Sequence, residues 1–182
     1  RVYIIANTAG GTGSGMFLDL AFLLKHELKQ VGYKKPEIVG MLMAPPVDKS
    51  VSRPALANTF AAFAEVSHFA TGQKYQCRFD SNEAPVVDVG GAFDRVSVVP
   101  LPRKPYPKEQ LKVAGGVARS IYLDLLTPVG KVTDYVRSVT PYDQYDGPVV
   151  QPFGIYRLSW PRHEILTAYG GQQIQYGRVE HI

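Results

Sequence analysis

VYIIANTAGGTGSG, residues 2–15, is the stretch on which the reading of this chain turns. Five apolar residues, Val2 to Ala6, run into a turn holding Gly10, Gly11, Gly13 and Gly15. That turn opens into the apolar run MFLDLAFLLKHEL, residues 16–28. A strand apolar at every position is buried on both faces, as in a parallel sheet. A glycine turn between such a strand and a helix leaves N–H groups free at the helix start, where the dipole adds positive potential. Without Cβ atoms in the way, an anion can approach that backbone closely. The stretch is a candidate phosphate site.

Outward from it the chain alternates strands and helices. Residues 16–29 predict a helix, with Phe17, Leu20, Ala21, Leu24 and Leu28 at helical spacing. EIVGMLM (37–43) reads as a second buried strand. A second helix is expected from Pro54 to Ala70, capped by Ser52, with Leu56, Phe60, Phe63, Val66 and Ala70 on its apolar face. Strand, helix and strand at this spacing form a right-handed parallel crossover. Residues 71–91 lose the pattern and read as a surface excursion with a short strand at Tyr75–Phe79. A third strand is expected at Phe93–Val99. A third helix follows at Pro107–Leu126, packing through Leu111, Ala114, Ala118, Ile121 and Leu125. Its internal Gly115-Gly116 pair, costly in a helix, implies close approach of another element. A short helix at Val129–Val139, a turn-rich link at Thr140–Pro152, a strand at Phe153–Trp160 and a helix at His163–Tyr176 complete the expectation. The predicted class is α/β, a doubly wound and mostly parallel sheet. Residues 1–140 form part of one domain, and 141–182 a linker and the start of a second.

Composition sets the bounds. The 182 residues are 45% hydrophobic and 20% charged, enough for a sizeable core. The net charge of +4 is scattered rather than gathered into a basic stripe, so no nucleic-acid partner is expected. No apolar run reaches the roughly 20 residues of a membrane span. One cysteine, Cys77, cannot form an internal disulfide, which points to a reducing, cytoplasmic compartment. His26, His68, His163 and His181 lack metal-ligand spacing. Beginning at Arg1 with a strand already under way, the sequence reads as a piece of a longer protein.

Three loop chemistries compete for residues 9–15. A Walker A loop requires Lys and Ser or Thr after its last glycine, where Met16 and Phe17 stand. A dinucleotide fingerprint requires a third glycine where Met16 stands and an acid after the next strand, which ends in Ala44-Pro45-Pro46. AGGTGSG at 9–15 instead resembles the GGGTG[ST]G signature of the tubulin/FtsZ superfamily, with Ala9 for the first glycine. LANTFAAFAEVSHF (56–69) is similar to the corresponding helix of the bacterial tubulin-like branch, and FDRVSVV (93–99) resembles the strand leading to the base-recognition loop.

That resemblance implies a GTPase-like domain lacking its first strands here, binding GTP or GDP with Mg²⁺ carried on the phosphates. Ala9, Gly10, Gly11, Thr12, Gly13 and Ser14 would surround the phosphates, Asp48 would face the ribose, and Arg53 would lie near the nucleotide. Asp134 would be the acid that completes hydrolysis in the next subunit of a head-to-tail filament. Two departures stand out: PLPRKPYPKEQ (100–110) lacks the asparagine that reads guanine, and Asp134 has no clear acidic companion. A nucleotide-insensitive scaffold working through protein contacts is therefore an alternative, and a Rossmann-type dinucleotide enzyme a third.

Overall fold

The computed structural model describes residues 1–103, 106–139, 149–154, 156–158 and 179–181. Strand β1 (Val2–Asn7) leads through the glycine turn to helix α1 (Gly11–Gln30), then β2 (Ile38–Ala44) and α2 (Arg53–Ala70). Short strands β3 (Lys74–Cys77) and β4 (Val86–Val89) precede β5 (Arg95–Pro100), α3 (Pro107–Leu126) and α4 (Pro128–Val139). Strands β6 (Val149–Pro152), β7 (Tyr156–Leu158) and β8 (Val179–His181) follow. The main sheet has the order β1-β2-β5-β6, and every pair in it is parallel. The α/β class and the parallel sheet are as expected. The helix predicted at 163–176 lies outside the described residues.

Alternation along the strands sends side chains to two helical layers. Ile4, Ala6, Ile38, Leu42 and Val96 pack with Phe17, Leu18, Ala21 and Phe22 of α1 and with Ala62 and Val66 of α2. Tyr3, Met41, Met43 and Val99 face the other way, onto Val113, Val117 and Ile121 of α3. Phe22, Ile38, Leu42 and Val96 are fully buried, each contributing about 2 kcal/mol by area. Gly40 breaks the apolar run of β2 for a reason. The Phe93 ring would stand 3.1 Å from its Cβ, so the ring occupies the side-chain space that the glycine leaves open.

Five expectations need correction. The stretch expected to be a turn-rich link, 140–152, ends in β6 at Val149–Pro152, which pairs in parallel with β5. Helix α1 starts at Gly11, not Met16, so most of the glycine signature is its first turns. Residues 71–91 hold more than the one short strand expected at Tyr75–Phe79: β3 and β4 form an antiparallel hairpin over Lys74–Cys77 and Val86–Val89. Tyr75 holds that hairpin to the core, its ring stacked 3.8 Å from Phe22 and its hydroxyl donating to Asp19 at 2.7 Å. Burial and that bond to Asp19 push the Tyr75 hydroxyl pKa upward. In α2 the buried stripe runs through Ala62 and Val66, while Phe60 is 77% exposed. In α3 the packing face is Val113, Gly116, Val117 and Ile121; Leu111, Ala114, Ala118 and Leu125 are exposed. Of the glycine pair in α3, a Cβ on Gly116 would stand 3.9 Å from the Phe153 ring, and one on Gly115 would look onto open space.

An ionic cluster closes the end of the sheet where β1 begins. The Arg1 guanidinium donates to Glu37 at 2.7 Å, Asp124 at 2.6 Å and Asp134 at 2.7 Å. Arg95 pairs with Glu37 at 2.9 Å. Tyr3 donates its hydroxyl to Asp124. Burial first, and that bond second, push the Tyr3 pKa up from 10.0 to about 12. The folded state thus favours neutral Tyr3, which adds stability that is complete below pH 10 and lost as pH rises toward about 12. The urea midpoint of the wild type is expected to fall more steeply across that window than the midpoint of Tyr3→Phe.

Candidate functional site

Parallel pairing brings the carboxyl ends of three strands to one edge. Asn7 is in register with Met43, and Ala44 with Pro100. Thr8 N donates to Met43 O at 3.0 Å, and Leu101 N to Ala44 O at 2.8 Å. The turn at residues 8–10, the loop at 45–52 and the chain after Pro100 therefore leave the sheet side by side. In an open α/β sheet this edge is where ligands bind.

The turn after β1 is held from several directions. Asn7 Oδ1 accepts from Ala9 N at 3.0 Å, a local bond that bends the chain. Thr8 is fully buried, and its hydroxyl donates to Met43 O at 2.9 Å and lies 3.1 Å from the Thr59 hydroxyl of α2. Asn58 Nδ2 donates to Ala9 O at 3.2 Å. Thus β2 and α2 both fix the entry into α1. Sequence reading missed Asn7, Thr8, Asn58 and Thr59. Asn7, a side-chain amide directly after an apolar strand, was the available signal.

Gly10 is the N-cap of α1, in extended conformation, with no side-chain cap and no acidic residue in the first turn. The first-turn amides have no carbonyl four residues back within the helix, and nothing there offsets their dipole. Glycines divide into two kinds. A Cβ on Gly13 would sit 2.2 Å from Asn7 O, so Gly13 lets the helix touch the strand. A Cβ on Gly10, Gly11 or Gly15 would meet nothing within 4 Å. Gly11 and Gly15 nonetheless lie in a helix, where glycine costs about 1 kcal/mol relative to alanine. The space over them is open to an outside group. Ser14 donates its hydroxyl to Gly10 O at 2.8 Å, and its N–H bonds the same carbonyl at 3.0 Å. Thr12 is exposed.

Asp48 lies in the β2–α2 loop on the same edge. Its Oδ1 accepts from the Ser50 hydroxyl and from Ser50 N at 2.8 Å. These bonds hold its pKa below the ordinary carboxylate value. Its Oδ2 stands 3.8 Å from Arg103 Nε, which joins the loops after β2 and β5. Arg53 is the first residue of α2 and is exposed. Asp134 stands elsewhere. It is on α4, bonded to Arg1 at the opposite end of β1. Six strand residues separate the two ends, roughly 20 Å. Asp134 is thus out of reach of the glycine turn in its own chain.

No curated protein and no solved structure matches the chain. The model of a family described as tubulin like matches residues 1–175. A parallel sheet whose first strand runs through a glycine turn into an uncapped helix accords with that match, and the chain belongs to the tubulin-like family.

Proposed function

We propose that this chain binds a guanine nucleotide, GTP or GDP, at the glycine turn. The observation that carries the reading is the pair of glycine kinds: Gly13 is fixed by the fold, whereas Gly10, Gly11 and Gly15 keep open a space that the chain does not fill. Ala9 and the amides of Gly10 to Gly13 surround the phosphates with Ser14 beside them, and the exposed Thr12 offers its hydroxyl. Asp48 accepts from a ribose hydroxyl through Oδ2, and Arg53 supplies a cation on the same edge. Among the described residues no group of three His, Cys, Asp or Glu side chains could hold a metal. Mg²⁺ accordingly enters with the phosphates, keeping most of its waters.

Hydrolysis in this reading is phosphoryl transfer to water, aided by position and electrostatics. Asp134 acts on the turn of a neighbouring copy, because its place at the far end of β1 bars it from its own. Such head-to-tail contact is heterologous and builds an open filament. A bacterial, cytoplasmic setting belongs to the same reading. A scaffold that ignores nucleotide has its own support: Arg1 already holds Asp134 at 2.7 Å, and residues 100–110 contain no asparagine.

Gly11→Ala separates these readings. The variant is expected to fold as well as the wild type or better, by up to about 1 kcal/mol. Its affinity for GTP is expected to drop by at least about tenfold, the effect of a methyl placed in the phosphate space. Equilibrium dialysis measures the affinity, and turnover with pelleting follows. Unchanged affinity in Gly11→Ala sinks the loop assignment. A wild type that binds no GTP favours the scaffold, and one that prefers NAD restores the dinucleotide reading. Asp134→Asn is expected to keep binding and lose turnover.

A further inference from the structure

Between α3 and the sheet, on the face away from α1 and α2, lies a cavity of about 290 Å³. Met41, Ser97 and Gln151 are register partners on β2, β5 and β6 and form part of its floor. Ser120 and Leu123 of α3 and Val129 of α4 lie over them. No residue of the glycine turn lines it.

Among the described residues, the charged groups at the cavity wall are already committed. Arg95 bonds Glu37 at 2.9 Å, and Asp124 accepts from Arg1 and Tyr3. Ser97, Ser120 and Gln151 differ: their side chains have no hydrogen-bond partner among the described residues, yet none is a buried orphan. All three line the cavity, and none has its polar atoms sealed from solvent. Two hydroxyls and one amide offer both donors and acceptors. Beside them on the same two walls, Met41 of the floor and Leu123 and Val129 of the roof offer none.

The volume would hold about ten waters at liquid density. Many of these would face apolar walls with no bond to make, and such waters are readily displaced by an apolar group. A charged guest would lie in a partly buried space whose ions are already paired, which costs desolvation without return. We propose that this cavity is a binding site for an uncharged small molecule with a hydroxyl- or amide-bearing edge and an apolar body. The edge meets Ser97, Ser120 and Gln151, and the body lies against Met41, Leu123 and Val129.

The probe is 2-hydroxybenzyl alcohol, titrated into protein labelled at its methionine methyls. The Met41 resonance is expected to shift saturably, with a Kd on the order of millimolar for so small a ligand. Salicylate, its charged counterpart, is expected to bind about tenfold or more weakly. Ser97→Ala with Gln151→Leu should weaken the alcohol about tenfold, and Ser97→Ala alone, which removes only a hydroxyl, about threefold. Ser120→Leu, which fills the space, should abolish the shift. Absence of a saturable shift in the wild type overturns the proposal and leaves the cavity to water. Equal binding of salicylate, or undiminished binding in Ser97→Ala, overturns it as well. Gly11→Ala should leave the shift unchanged, so this outcome is independent of the glycine turn.

Discussion

Gly13→Ala is expected to destabilise the folded chain by about 3 kcal/mol, whereas Gly11→Ala two residues away does not. An alanine at 13 puts Cβ 2.2 Å from Asn7 O, 3.1 Å from its C and 3.2 Å from its N. All three are backbone atoms of the last residue of β1, so no rotamer relieves the clash. Asn7 is itself pinned by its pairing with Met43. The helix cannot retreat freely either, since Phe17, Leu18, Ala21 and Phe22 are buried against the same sheet. Overpacking of this kind costs about 1–3 kcal/mol, occasionally more, and rigid backbone on both sides puts Gly13 at the upper end. The helix-propensity gain of alanine, up to about 1 kcal/mol, offsets only part of a larger strain. Urea unfolding should show a lower midpoint for Gly13→Ala and an equal or higher one for Gly11→Ala. Equal midpoints would mean that α1 does not approach β1 as closely as described.

This contrast bears on what the sequence could reveal. Gly10, Gly11, Gly13 and Gly15 look alike as letters, and the spacing that marked the turn could not sort them. Only the three-dimensional approach of α1 to Asn7 does so. Strands β1 and β2 were legible because their apolar residues run on without a break, and β5 through its valines despite Arg95 and Ser97. Strand β6 was not: four residues ending in Gln151 and Pro152, it lies in a stretch whose prolines and glycine read as a turn-rich link. Face assignment in α3 was not legible. That helix carries apolar residues on two sides, and periodicity favours the larger ones, Leu111 and Leu125. The sheet instead takes the side with Gly116 and Val117, where a small residue lets Phe153 come close. Of the hairpin, β3 overlaps the strand expected at Tyr75–Phe79, whereas β4 escaped, its four residues too short for alternation to register. The hairpin's anchor, Tyr75, is recognisable only through Phe22, far away in the chain. At the site, Thr8 and Thr59 were hidden for the same reason: their contact spans 51 positions. Asp48 and Arg53 were found on the edge expected of them, because parallel strands put their following loops together whatever those loops contain.

Asp124→Ala is expected to cost about 3 kcal/mol, the other large effect, and it tests the opposite end of the sheet. The Asp124 side chain is only 8% exposed. It accepts from Arg1 Nη1 at 2.6 Å, from the Tyr3 hydroxyl and from the Thr133 hydroxyl at 3.2 Å. One carboxylate therefore ties α3 to the start of β1 and to α4. Removing a member of a buried pair leaves its partners desolvated, at about 3–5 kcal/mol. Here Arg1 keeps Glu37 and Asp134, which places the loss at the lower bound. Asp124→Asn keeps an acceptor for Tyr3 but gives up the charge, and about half the loss is expected. Combining Asp124→Ala with Tyr3→Phe should be less than additive by about 1 kcal/mol, since each change removes the same bond. Urea midpoints at a constant slope measure the wild type and the four variants. A loss for Asp124→Ala below about 0.5 kcal/mol is the behaviour of an exposed ion pair. It would mean that α3 and α4 are held by their apolar contacts, with the ionic cluster merely decorating their ends.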